Sequence, residues 1–171
     1  MPAIKIDIFD LDKTVLDSSH RYRALPNGDI DLNHWRDMSK PSEILKDKPL
    51  PLAEYMRDCY RKRHHVAICT SRVMSEADFE VLEKHDLKFH SIMFRETDSD
   101  QRGCVDMKRE KIRSFLNQKA ILPIHLDKVW LFDDHLGVVQ MANQMGLKGF
   151  DGIALNNRML HYGQEKLFSN D

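Results

Sequence analysis

Short stretches of alternating apolar and polar residues recur along this chain, separated by longer stretches in which apolar residues return every three or four positions. IKIDIF at residues 4–9 has the two-residue rhythm of a strand. HVAIC at 65–69, FHSIMF at 89–94, KVWLFD at 128–133 and the weaker LKGF at 147–150 are short and rich in β-branched or aromatic residues, and they predict four more strands. Helical spacing fills the gaps. Leu52, Tyr55, Met56, Cys59 and Tyr60 share one face of 51–63; Ser75 opens a helix over 75–87; Val105, Ile112, Phe115 and Leu116 mark the inner face of 105–119; a last helix covers 136–145. Strands alternating with helices of this length call for βαβ units. The expected fold is therefore a Rossmann-like α/β three-layer αβα sandwich on a mostly parallel sheet of about five strands, with its ligand site at their carboxyl ends.

The segment 18–49, with Pro26, Asn27, Gly28, Pro41 and Pro49, is too long for an ordinary βα connection and reads as a small cap-like insert after the first strand. No repeat or composition boundary divides the rest, so residues 1–171 are expected to form one domain around this insert. A hydrophobic content of 42% suffices for one core, and 26 Lys and Arg against 27 Asp and Glu argue against a general polyanion binder. Cys59, Cys69 and Cys104 form no CxxC pair, and no apolar run approaches membrane-spanning length. A cytoplasmic protein with no membrane partner is expected; the oligomeric state is left open.

The chemistry concentrates in IFDLDKTVLDSS, which sets Asp10, Asp12 and Thr14 directly after the first strand, with Thr14 a candidate substrate contact. Alternate residues of an extended chain lie about 6.5 Å apart on one side, so two carboxylates can flank one phosphorus centre, one attacking while the other moves a proton. Such a pair needs a cation. A second acidic pair, Asp133 and Asp134, closes a later strand, and hard oxygen ligands suit Mg²⁺. Between them, Thr70, Ser71 and Arg72 supply hydroxyls, backbone N–H groups and a cation for phosphate oxygens, while Lys108 adds a fixed positive charge. This is a kit for phosphoryl transfer through an aspartyl-phosphate.

In these residues the chain resembles the haloacid dehalogenase-like phosphohydrolases, whose pattern DxDx[TV], Ser/Thr, Lys, acidic pair stands in order here as Asp10-Leu11-Asp12-Lys13-Thr14, Thr70, Lys108 and Asp133-Asp134. The resemblance runs from residue 4 to about 150. It implies Asp10 as nucleophile, Asp12 as general acid and base, Thr70 and Lys108 as phosphate binders, and Mg²⁺ held by Asp10, the Asp12 carbonyl and Asp133, with Asp134 supporting through water. Within that superfamily the CTSR turn, the segment from Arg95 to Lys111 and LFDDHLGVVQMANQMG look most like the 3′-phosphatase domain of phage polynucleotide kinases. A nucleic-acid 3′-phosphate end is thus the expected substrate, with a nucleoside monophosphate or another small phosphate as the alternative. Tyr22, Trp35 and Arg21 of the insert are candidates to hold a nucleotide. Lys13 stands where the family usually has Gly, a cation beside the nucleophile that restricts the substrate or contacts its phosphate.

Other readings carry less. A receiver domain needs a phospho-accepting Asp after HVAIC, which is absent; a non-catalytic phosphate-binding module fits poorly with a full set of chemical residues. RKRHH at 61–65 reads as positive charge at a helix carboxyl end rather than as a nucleic-acid patch. Asp7, a charged residue inside a strand expected to be buried on both faces, has no explanation in the sequence.

Overall fold

The computed structural model describes residues 5–27 and 30–168; Ile4 of the expected first strand and Gly28 of the insert lie outside them. Five strands, β1 (Ile6–Phe9), β4 (His65–Val73), β5 (Ser91–Arg95), β6 (Val129–Asp133) and β7 (Lys148–Asp151), form one sheet in the order β5-β4-β1-β6-β7. Every pairing is parallel, with Ile8 of β1 opposite Ala67 on one side and Leu131 on the other. The remaining strands, β2 (Leu16–Asp17) and β3 (Lys48–Pro49), make a small antiparallel pair at the base of the insert. The insert also carries two short helices, α1 (Leu32–Asp37) and α2 (Pro41–Ile44).

The helices between the strands are α3 (Leu52–Arg61), α4 (Glu76–Lys84), α5 (Cys104–Gln118) and α6 (Leu136–Gln144), each within a few residues of the sequence expectation. A further helix, α7 (Gly152–Tyr162), follows β7, and the Asp151 side chain starts it by accepting from the N–H groups of Ile153 and Ala154. Serine 75 and Asp78 form a reciprocal cap on α4.

Side chains alternate across the sheet and build two cores. Ile6 and Ile8 face α5 and α6, meeting Ile112, Phe115, Val138 and Met141. Phe9 faces the other way, with Tyr55, Met56, Cys59 and Met159. On that side Phe9 stacks on Phe132 at 4.7 Å and Phe132 on Phe150 at 5.2 Å, so aromatic rings tie three neighbouring strands together. The sheet order reverses direction between β1 and β6, and the crevice outside the carboxyl ends of those strands is where such sheets bind ligands. Among the described residues, no helix is long and apolar enough to cross a membrane.

Candidate active site

β1 ends at Phe9, and the N–H of Asp10 donates to the Phe132 carbonyl at 2.9 Å, which fixes Asp10 beside the end of β6. There Asp133 closes β6. Lys108, on the second turn of α5, reaches between them: its Nζ lies 2.8 Å from Asp10 Oδ1 and 2.6 Å from Asp133 Oδ2. All three side chains are buried. Residues 98 and 25 positions from Lys108 in sequence therefore share one ammonium group.

The electrostatics follow from that burial. Asp10 is pushed well above the ordinary carboxylate range by burial; Lys108 opposes this, and the nearby carboxylates of Asp133, Asp12 and Asp134 add to it. Burial and then Asp133 likewise raise Asp134. For Lys108 burial works against the charge, but Asp10 and Asp133 outweigh it and hold the ammonium protonated. Oxygens of Asp10, Asp133 and Asp134 lie within 4.8 Å of one another. This crowd of carboxylates holds more negative charge than one lysine balances, and its donors are all hard oxygens, so it fits a hard divalent cation of the Mg²⁺ type. The carboxylate of Asp12 is not in this group.

Asp12 faces a different cation. Arg72 grips it with a fork, Nε to Oδ2 at 3.0 Å and Nη2 to Oδ1 at 2.6 Å, and the Ser18 hydroxyl donates to the same Oδ1. Burial raises Asp12, but the charge and hydrogen bonds of Arg72, with help from Ser18 and Arg21, hold it below the usual carboxylate value. Arg72 was expected to contact substrate phosphate. Its guanidinium is instead engaged within the protein, since it also donates to Asp78 at 2.7 Å and to Asp47 at 2.7 Å. Arg21 of the insert completes the network, donating to Asp47 at 3.2 Å and to the Ser39 hydroxyl at 2.9 Å.

Asp47 was not anticipated from the sequence. It joins the two arginines from within a Lys-Asp-Lys run that reads as ordinary surface charge, and nothing in its neighbours marks it as buried. Arg21 was anticipated as a nucleotide contact, yet its guanidinium lies 4.2 Å from the Trp35 ring centre. That stacking covers one face of the Trp35 indole.

The hydroxyls divide. Thr70 is buried at the carboxyl half of β4, where its Oγ1 accepts from the Arg72 N–H at 3.2 Å. Ser71 Oγ, near the carboxyl end of β4, is buried with no hydrogen-bond partner, an orphan polar atom. Thr14, expected to touch substrate, is fully buried: its Oγ1 sits 3.5 Å from Asp10 Oδ2, and the backbone of Gly152 packs so closely that a Cβ there would meet Thr14 at 3.1 Å. It lies against the Asp10 carboxylate and supports it. Lys13 has φ 59, a left-handed backbone that favours glycine, which explains why Gly is usual at this position. Its Nζ lies 4.0 Å from the Tyr22 ring centre. The helix after the acidic pair is capped by His135 through Nδ1, not by either aspartate; the His135 N–H orients Asp133 by donating to Oδ1 at 3.0 Å.

A family model described as bacteriophage T5 5′-deoxynucleotidase matches residues 2–170. A 5′-deoxynucleotidase of Escherichia phage T5 is 28% identical over 177 residues, covering 90% of this chain and 69% of that protein. Among solved structures, a chain of the Pnkp1/Rnl/Hen1 RNA repair complex superimposes with a TM-score of 0.55 at 21% identity; the match spans 88% of this chain but only 43% of that one. A haloacid dehalogenase-like hydrolase of Streptococcus pneumoniae gives 0.63 at 14% identity over 96% and 100% of the two chains. A haloacid dehalogenase superfamily hydrolase of Geobacter sulfurreducens gives 0.60 at 16% over 85% and 87%. These neighbours share the fold that the sequence resemblance implied.

Proposed function

The chain belongs to the bacteriophage T5 5′-deoxynucleotidase family and is a phosphatase with the haloacid dehalogenase-like fold; from that premise we propose that it hydrolyses deoxynucleoside 5′-monophosphates with Mg²⁺, through an aspartyl-phosphate. The observation that supports this reading most is the meeting of Asp10, Lys108 and Asp133 at the carboxyl ends of adjacent strands. The relative's activity supports a mononucleotide. The nucleic-acid 3′ end, which the sequence resemblance put first, is the competing outcome of the test below. Residues 18–49 act as a small cap-like insert of a single domain, and Arg21 and Asp47 connect it to the site through Arg72.

In this mechanism an Asp10 oxygen bonds to phosphorus as the ester P–O bond breaks, and Asp12 delivers a proton to the leaving oxygen. Asp12 then takes a proton from water, whose oxygen bonds to phosphorus while the acyl-phosphate bond breaks and returns Asp10. Arg72 favours the ionised form of Asp12 that the second step requires, and the dianionic phosphate, a like charge, favours the protonated form that the first requires. Thr70, the orphan hydroxyl of Ser71 and Lys108 hold the phosphoryl oxygens, and Lys13 adds charge at the entrance. Mg²⁺ would be held by Asp10, Asp133 and the Asp12 carbonyl, with Asp134 nearby, and when bound it neutralises charge on the transferring group.

The test is a panel of phosphomonoesters: 5′- and 3′-deoxynucleotides, 5′-ribonucleotides and oligonucleotides ending in 3′-phosphate, assayed with Mg²⁺ and with chelator. Release of phosphate from 5′-deoxynucleotides that chelator abolishes is expected. Faster release from the 3′-phosphate oligonucleotides would reverse the substrate assignment, and no release above the Asp10→Asn background would overturn the enzyme mechanism.

A further inference from the structure

Asp7 lies three residues before Asp10 on β1, roughly 10 Å back along the strand toward the amino end of the sheet. It is wholly buried on the face covered by α3. A carboxylate in such a place must be paired or bound to a cation. One oxygen, Oδ2, lies 2.6 Å from His64 Nδ1. The other, Oδ1, has no hydrogen-bond partner; Lys5 Nζ is 3.7 Å from it but sits closer to the Trp130 ring centre, at 3.4 Å.

The third member is Cys59, 1% exposed on the last turn of α3. The chain then turns back through Arg63 in a left-handed conformation, φ 62, and the His64 N–H donates to the Cys59 carbonyl at 3.0 Å. A strained non-glycine turn thus returns His64 beside Cys59. Donor atoms of Asp7, Cys59 and His64 all lie within 4.8 Å of one another.

We infer that Asp7, Cys59 and His64 form a second metal site, for a thiophilic divalent ion such as Zn²⁺, that ties β1 to the α3–β4 connection. The donor set argues for this class of ion: one sulfur, one imidazole nitrogen and one carboxylate suit Zn²⁺ and not Mg²⁺, which prefers oxygen alone. His64, with its side chain 22% exposed, gives the ion a route in and leaves a fourth position for water. Without the ion Cys59 is a thiol, pushed up to about 12 by burial and then by Asp7, and binding releases its proton to solvent. The site lies away from the carboxyl-end crevice, so it adds to the fold rather than to the phosphatase chemistry.

The test uses the full chain, stripped with chelator and titrated with Co²⁺ in excess Mg²⁺ so that the oxygen cluster is already supplied. One equivalent of Co²⁺ should bind with a sulfur-to-cobalt charge-transfer band, Zn²⁺ should displace it, and Zn²⁺ should raise the melting temperature. Asp10→Asn should bind identically. Cys59→Ser should lose the band and weaken binding beyond the ~10–100-fold that an outer partner costs. His64→Gln, at a partly exposed position, should keep the band and bind more weakly; it decides the matter if Cys59→Ser does not fold. Absence of the band, a band that survives Cys59→Ser, or wild-type affinity in His64→Gln would overturn the proposal and leave a Lys5–Asp7–His64 charge network.

Discussion

Replacing Arg72 should damage stability and catalysis together, and the structure separates the two. The stability loss comes from Asp47 and Asp78, whose side chains are 0% and 3% exposed and which face an arginine side chain exposed to 3%. Removing one partner of a buried ion pair costs about 3–5 kcal/mol, because the carboxylates left behind stay buried without compensation. The Asp12 pair adds less, since that side chain is 27% exposed and water screens it. For a domain of this length each kcal/mol lowers the melting temperature by about 2–4 °C, so Arg72→Ala should melt roughly 6–20 °C lower. Arg72→Lys keeps a charge but not the fork that reaches Asp12, Asp47 and Asp78 at once. It should fold, with kcat reduced about 10²-fold, the loss that follows from misplacing an acid–base group by about 1 Å, and with KM little changed. Asp78→Asn is the control: it weakens the Arg72 contact and the α4 cap without touching Asp12, so it should lower stability more than kcat. Scanning calorimetry and steady-state phosphate release supply both readouts. Wild-type kcat in Arg72→Lys, or an unchanged melting temperature in Arg72→Ala, would refute the reasoning.

Three other substitutions probe separate parts of the account. Gly149→Ala would place a Cβ 2.5 Å from the Val139 carbonyl oxygen, so β7 and α6 must part; a loss of about 1–3 kcal/mol in urea unfolding is expected, and no loss would contradict the packing. In Lys13→Gly the relief of about 1–2 kcal/mol of left-handed strain is nearly offset by about 0.5–1 kcal/mol of lost contact with Tyr22 and by a similar gain in unfolded-chain entropy. Stability should therefore change by less than about 1 kcal/mol while KM rises a few-fold, and a large stability change with constant KM would argue against a substrate role. His65, on β4 beside Ser91 and the His90 ring, is lowered from 6.5 to about 4 by burial and then by Lys119 and His90. Its folded state resists protonation, so the stability it contributes is complete above about pH 6.5 and is lost as pH falls toward 4. His65→Gln should flatten that part of the acid limb relative to wild type, and an identical limb in both proteins would exclude His65 as a cause.

The five strands and four of the helices were legible because each carries a clear period and a recognisable start, such as Ser75 before α4. α7 was overlooked although Asp151 gives it a cap; its apolar residues are diluted by Asn156, Asn157 and Arg158, and the strand before it is weak. Within the site, Asp10, Asp133 and Lys108 could be matched because strand ends and chain order constrain them. Arg72 could be found but not aimed. Its partners Asp47 and Asp78 come from the insert and from α4, and only the fold determines whether a guanidinium at a strand end meets a ligand or three carboxylates. Asp7 could be recognised as anomalous, but its neighbours Cys59 and His64 come together through the turn at Arg63, which no local pattern announces.

Asp10 as the nucleophile that accepts the phosphoryl group can be tested directly. A 5′-deoxynucleotide labelled in its phosphate is mixed with enzyme and Mg²⁺, quenched in acid within one turnover, and the protein digested for mass spectrometry. A labelled, acid-stable acyl-phosphate is expected on the peptide containing Asp10, absent from Asp10→Asn and accumulating in Asp12→Asn, where the water-activating carboxylate is gone. Phosphate release at the wild-type rate by Asp10→Asn, or label found on another residue, would contradict it.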